Sequence, residues 1–94
     1  MIQLYGMQIC PDCAEAREQL LAAGVDFAFL DFADATQNLK DFLKIREGNP
    51  LFDAAREAGG IGIPCFVLPD GSVSLELKDA LRAGGEAAKG HGTL

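Results

Sequence analysis

Apolar residues along this chain come in short blocks whose period changes. Ile2-Gln3-Leu4-Tyr5 is a brief, weakly alternating run of strand length, and Gly6 to Ile9 reads as a loop. From Asp12 to Ala23 the period is helical: Cys13, Ala16, Leu20 and Ala23 share one stripe, with Glu15, Arg17, Glu18 and Gln19 elsewhere. Gly24 is the expected residue just past its end. Val25 to Phe32 is apolar on both parities, which predicts a strand buried on both faces of a sheet. Strand, helix and strand in this order form a βαβ unit and point to an α/β fold.

The second half starts with a helix capped by Thr36, with Leu39, Phe42 and Leu43 inward and Lys40, Asp41, Lys44 and Glu47 outward. Gly48 breaks it, and Asn49-Pro50 starts a short helix that buries Leu51, Phe52 and Ala55. Gly59-Gly60-Ile61-Gly62 leads to Ile63-Pro64 and an apolar strand, Cys65 to Leu68. Pro69-Asp70-Gly71-Ser72 is a hairpin turn, and Val73 to Leu75 is the return strand. Leu77, Ala80 and Leu81 mark a last helix ending at Gly84-Gly85. One domain over residues 1–85 is therefore expected, with a small, polar, glycine-rich tail over 86–94.

Composition narrows the class. At 94 residues, with 49% hydrophobic positions, the chain can build one core. A net charge of −6 argues against nucleic acid and anionic membrane surfaces as partners. Three cysteines are too few, and odd in number, for a secreted disulfide framework. Met1-Ile2-Gln3-Leu4 lacks a basic region followed by an apolar core, and no apolar run approaches the length of a membrane span. A cytoplasmic monomer is the expectation.

The chemistry concentrates in Cys10-Pro11-Asp12-Cys13, a C-x-x-C spacing at a strand-to-helix junction, which reads as a redox motif. The first turn of a helix has unpaired N–H groups and a partial positive charge, so a thiolate is stabilised there. Cys10 is expected at the N-cap, Pro11 at the first helical position, and Cys13 one turn on, within disulfide reach. Cys10 can then attack a disulfide while Cys13 resolves the mixed disulfide. Asp12 puts a carboxylate near the Cys10 sulfur; like charges disfavour each other, which predicts a couple that donates electrons.

C-P-x-C before the first helix, Ile63-Pro64 before the third strand and the order β-α-β-helix-β-β-α together resemble the glutaredoxin branch of the thioredoxin-fold family, over roughly Met1 to Ala83. The stretch Gly60 to Val67 looks most like the small bacterial glutaredoxin-related proteins. The resemblance implies a thioredoxin-like fold, a four-stranded mixed sheet flanked by helices. It implies Cys10 as nucleophile, Cys13 as resolving cysteine and Pro64 as a cis-proline facing them. Pro11, Asp12 and Ile63 support them, with the Ile63 backbone offering hydrogen bonds to substrate.

The expected activity is thiol–disulfide exchange with protein disulfides or glutathionylated substrates, with no bound cofactor and glutathione or a thioredoxin-like system as electron donor. Typical dithiol glutaredoxins carry Tyr where Asp12 stands, a basic residue where Met7 stands, and a Gly-Gly-x-x-Asp segment where this chain has Val73 to Leu77. The usual glutathione anchors are thus partly missing; Lys40, Lys44 and Arg46 are candidate substitute cations. The alternative is a metal or iron–sulfur module using Cys10; zinc needs about four N/S ligands, and the chain offers three cysteines and His91. Cys65 is expected in the core as a small hydrophobe, and Tyr5 as a packing residue near the loop.

Overall fold

The computed structural model describes residues 1–92, with side chains through Gly85. Four strands, β1 (Ile2–Gly6), β2 (Phe27–Asp31), β3 (Cys65–Val67) and β4 (Val73–Ser74), form one sheet in the order β2-β1-β3-β4. β1 runs parallel to β2 and antiparallel to β3, and β3 runs antiparallel to β4, so the sheet is mixed. The helices are α1 (Pro11–Ala22), α2 (Thr36–Arg46), α3 (Asp53–Glu57) and α4 (Leu77–Gly92), with a 3-10 turn at Pro50–Phe52 ahead of α3. No helix among the described residues is long and apolar enough to cross a membrane.

Strand alternation sorts the core into two layers. Ile2 and Leu4 of β1 and Phe66 of β3 pack with Ala16 and Leu20 of α1 and Ala80 of α4. Tyr5 and Cys65, paired across β1 and β3, turn to the opposite face, where Phe42 of α2 and Phe52 cover them. β2 contributes to both layers, Phe27 and Phe29 to the first and Leu30 to the second, as its double-parity pattern predicts. A fully buried Leu or Phe contributes about 1.5–3 kcal/mol, so each layer holds its helices firmly.

α1 ends as expected: the Gly24 N–H donates to the Leu21 carbonyl at 3.1 Å and the Val25 N–H to Leu20 at 3.0 Å, which satisfies the last carbonyls. Other expectations need correction. β2 begins at Phe27, because Val25 is used in that cap. Ala35, not Thr36, is the N-cap of α2, and it makes no side-chain hydrogen bond; the turn after β2 delivers the chain to the helix one residue early. Leu39 and Leu43 are exposed, at 38% and 46%, and the buried line of α2 is Phe42 with Ile45 beside it. Leu51 is also exposed, since the 3-10 turn swings Phe52 inward instead.

The last helix does not stop at Gly84-Gly85. α4 runs on to Gly92, through the good helix formers Glu86, Ala87, Ala88 and Lys89. Gly84 answers a different need: a Cβ there would stand 2.5 Å from Cγ2 of Val25. The expected tail over 86–94 is thus helical as far as Gly92, and Thr93 and Leu94 lie outside the described residues.

Candidate functional site

The first turn of α1 is built from sequence-local features. After Gly6 the chain turns, and the Cys10 N–H donates to the Met7 carbonyl at 3.0 Å. Cys10 is the N-cap, with extended backbone at φ −81° and ψ 120°, and its carbonyl accepts from the Ala14 N–H at 2.9 Å. Pro11 occupies the first helical position, where no N–H is needed, and Asp12 lies in the first turn. The Cys10 sulfur makes no capping hydrogen bond, so it stays available for chemistry.

Cys13 is placed differently. It is fully buried, whereas Cys10 is half-buried, and all three cysteines are free thiols. Burial pushes the Cys13 thiol up to about 12; the Met7 backbone N–H pulls the other way, while the Cys10 sulfur and the Asp12 carboxylate add to the rise. The two thiols of the motif are close enough for the Cys10 sulfur to help hold the proton on Cys13. Gly6 makes room for this sulfur: a Cβ on Gly6 would stand 2.6 Å from the Cys13 Sγ. Cys13 at neutral pH is therefore a protonated thiol beside an accessible one.

Two residues of this region had not been singled out in the sequence. Asp31, at the end of β2, is only 7% exposed. Its carboxylate accepts from the Gln8 N–H at 2.9 Å and from the Ala33 N–H at 2.7 Å, and its carbonyl accepts from the Asn38 side chain at 2.9 Å. It ties the loop before Cys10 to the parallel strand. A lone carboxylate closing an aromatic, apolar strand, Phe29-Leu30-Asp31-Phe32, is the signal that could have found it. Ile9, directly before Cys10, is 83% exposed, although such an apolar side chain gains by burial.

The Ile63-Pro64 bond is cis. Pro64 lines a groove of about 230 Å³ with Asp12, Glu15 and Ala16 of α1, Leu75 of the link after β4 and Leu77, the first residue of α4. The motif helix and the proline thus meet at one surface. Gly62 shapes the approach: its φ is +97°, and a Cβ would stand 2.5 Å from the Phe52 ring.

The other candidates sit apart. Cys65 is fully buried with Tyr5, Phe42 and Phe52, and burial pushes its thiol up to about 12. Tyr5 is buried against Phe42, and its hydroxyl is also raised, by burial, Asp41 and Cys65. Lys40 and Lys44 are exposed on α2. Arg46 donates to the Gly60 carbonyl at 3.4 Å, and its own carbonyl accepts from Arg56 at 2.5 Å, so it braces α2 against the segment leading to Pro64. Among the described residues no three His, Cys, Asp or Glu side chains gather in a metal-holding group; the His91 side chain lies outside the described residues.

Over 74 residues the chain is 35% identical to an uncharacterized protein of Haemophilus influenzae, covering 79% of this chain and 86% of that one. No family model and no solved structure matches.

Proposed function

We propose that this chain, which belongs to the same family as the Haemophilus influenzae protein, is a thiol–disulfide oxidoreductase of glutaredoxin-like, thioredoxin-type fold. One observation carries the reading: an accessible thiol at a helix N-cap in contact with a buried, protonated thiol one turn on. The groove that joins Asp12 of the motif to Pro64 supports it, because a substrate segment needs a concave surface near the motif.

The exchange runs in two steps. The Cys10 thiolate attacks one sulfur of the substrate disulfide; that S–S bond breaks, a Cys10–substrate bond forms, and the leaving thiolate takes a proton. Cys13 then loses its proton and attacks the Cys10 sulfur, which forms Cys10–Cys13 and releases the second substrate thiol. Two electrons pass from the protein to the substrate. A glutathione or thioredoxin-like system restores the dithiol, and the reducing cytoplasm is its natural setting. Ile63, ahead of Pro64, offers its backbone to the bound substrate segment.

The deciding assay is turnover of a protein disulfide such as insulin and of a glutathionylated peptide, each with its own reducing system. Reduction of either that requires both Cys10 and Cys13 is the expected result. Turnover of neither by the reduced wild-type protein rejects the reading.

A further inference from the structure

The groove that takes in Asp12 of the motif has a chemistry of its own. Asp12 and Glu15 stand one turn apart on α1 and supply its two charged walls. Leu75, Leu77, Ala16 and Pro64 supply the rest, and no lining residue is cationic. Among the described residues neither carboxylate is in an ion pair. Arg17, on the same helix, lies over the Phe29 ring, 6.0 Å from its centroid. The net charge of −6 adds a field of the same sign.

The volume, about 230 Å³, falls below the roughly 300–1,000 Å³ of small-molecule sites. It suits one long side chain, not a whole cofactor. On the N-terminal side of Cys10 the chain holds out Ile9, 83% exposed. Cys10 is thus flanked in the chain by an exposed apolar residue, Ile9, on one side and by Asp12, an acidic residue of the groove, two positions on.

We infer that this site selects protein or peptide disulfides flanked by a basic residue with a long apolar stem, and disfavours glutathionyl groups. The inference rests on the thiol–disulfide reading above and narrows its substrate class. A lysine or arginine fits both wall types, its methylenes against Leu75, Leu77 and Pro64 and its charge against Asp12 and Glu15. A glutathionyl group brings two carboxylates to a surface that already holds two. Charge matching of this kind acts chiefly on encounter and specificity.

The test uses the full chain, reduced, and three peptides of one length. Each has the same intrachain disulfide, flanked by Lys, Ser or Glu. Each rate of reduction is divided by the rate of the same peptide with dithiothreitol, which removes intrinsic differences in disulfide reactivity. The Lys peptide should exceed the Glu peptide by about fivefold to tenfold at low ionic strength, with Ser between, as two exposed charge contacts allow. The ratio should collapse toward one in about 1 M salt, where the screening length is about 3 Å. Glu15→Gln should lower it, and Asp12→Asn with Glu15→Gln should lower it further. Equal normalised rates, or a ratio that neither salt nor Glu15→Gln moves, overturns the inference and leaves the redox reading standing. Reduction of none of the three peptides, with Cys10 still open to alkylation, overturns both.

Discussion

Cys13 and Cys65 are equally hidden from solvent, and burial drives both thiols to about 12. Their surroundings nevertheless differ in kind. Cys13 sits under the first turn of α1, with the Met7 N–H, the Cys10 sulfur and the Gly6 backbone around it. Cys65 sits in β3 against Tyr5, Phe42 and Phe52, and burial is the one cause of its shift. Cys65 lies in an apolar layer, whereas Cys13 lies beside an accessible thiol, the arrangement on which the proposed exchange rests. Burial alone does not tell the two apart, whereas neighbours do.

Deleting the accessible partner should have the largest effect. Cys10→Ser should reduce disulfide exchange by about a thousandfold or more, since the nucleophile is gone. Cys13→Ser should still undergo the first attack and stop there, with one leaving thiol released and a mixed disulfide visible by mass spectrometry. If Cys10→Ser retained turnover, Cys13 would not be the second thiol of a pair. Labelling gives the same contrast without mutation: iodoacetamide near neutral pH should modify Cys10 first, and Cys13 and Cys65 only after unfolding. Early labelling of Cys65 would show that its thiol is as reachable as that of Cys10.

Cys65→Ser tests the other side. It sets a hydroxyl in an apolar layer and should cost about 1–3 kcal/mol in urea unfolding while exchange persists. Loss of exchange in a still-folded variant would make Cys65 part of the chemistry. Gly6→Ala sharpens the picture around Cys13. The new methyl would press on the Cys13 sulfur, an overpacking that costs about 1–3 kcal/mol. Cys13→Ala should relieve that cost, so the double variant should be non-additive; additive losses would mean that the two positions do not touch.

The remaining effect is on alkaline stability. Both buried thiols keep their protons to about 12, whereas in the unfolded chain they lose them around the ordinary value of 9.0. The unfolded state then binds fewer protons, so stability falls as pH rises from about 9 toward 12. Cys65→Ala removes one of the two contributions and should flatten that fall. A stability curve level from pH 8 to pH 11 in the wild type would contradict the raised values.

What the sequence determined was mostly local. The N-cap at Cys10, Pro11 as first helical residue and the cap at Gly24 follow from period, turn chemistry and the needs of helix ends, and the order of strands and helices points to an α/β fold. Those forces act over a few residues, so they are legible in a string. Boundaries that depend on packing were not: Leu39 and Leu43 fit an inward helical stripe, yet α2 was turned by Phe42 docking on Tyr5 and Phe52.

The site itself was only half legible. Asp31 reaches Gln8 across 23 residues of chain, Gly6 is bare because Cys13 comes back over it, and Gly62 is bare because Phe52 lies against it. The groove joins Asp12 and Glu15 to Pro64, Leu75 and Leu77, which no spacing rule brings together. Close packing decides such contacts. It depends on which elements meet and at what distance, and that is a property of the whole fold rather than of any one stretch.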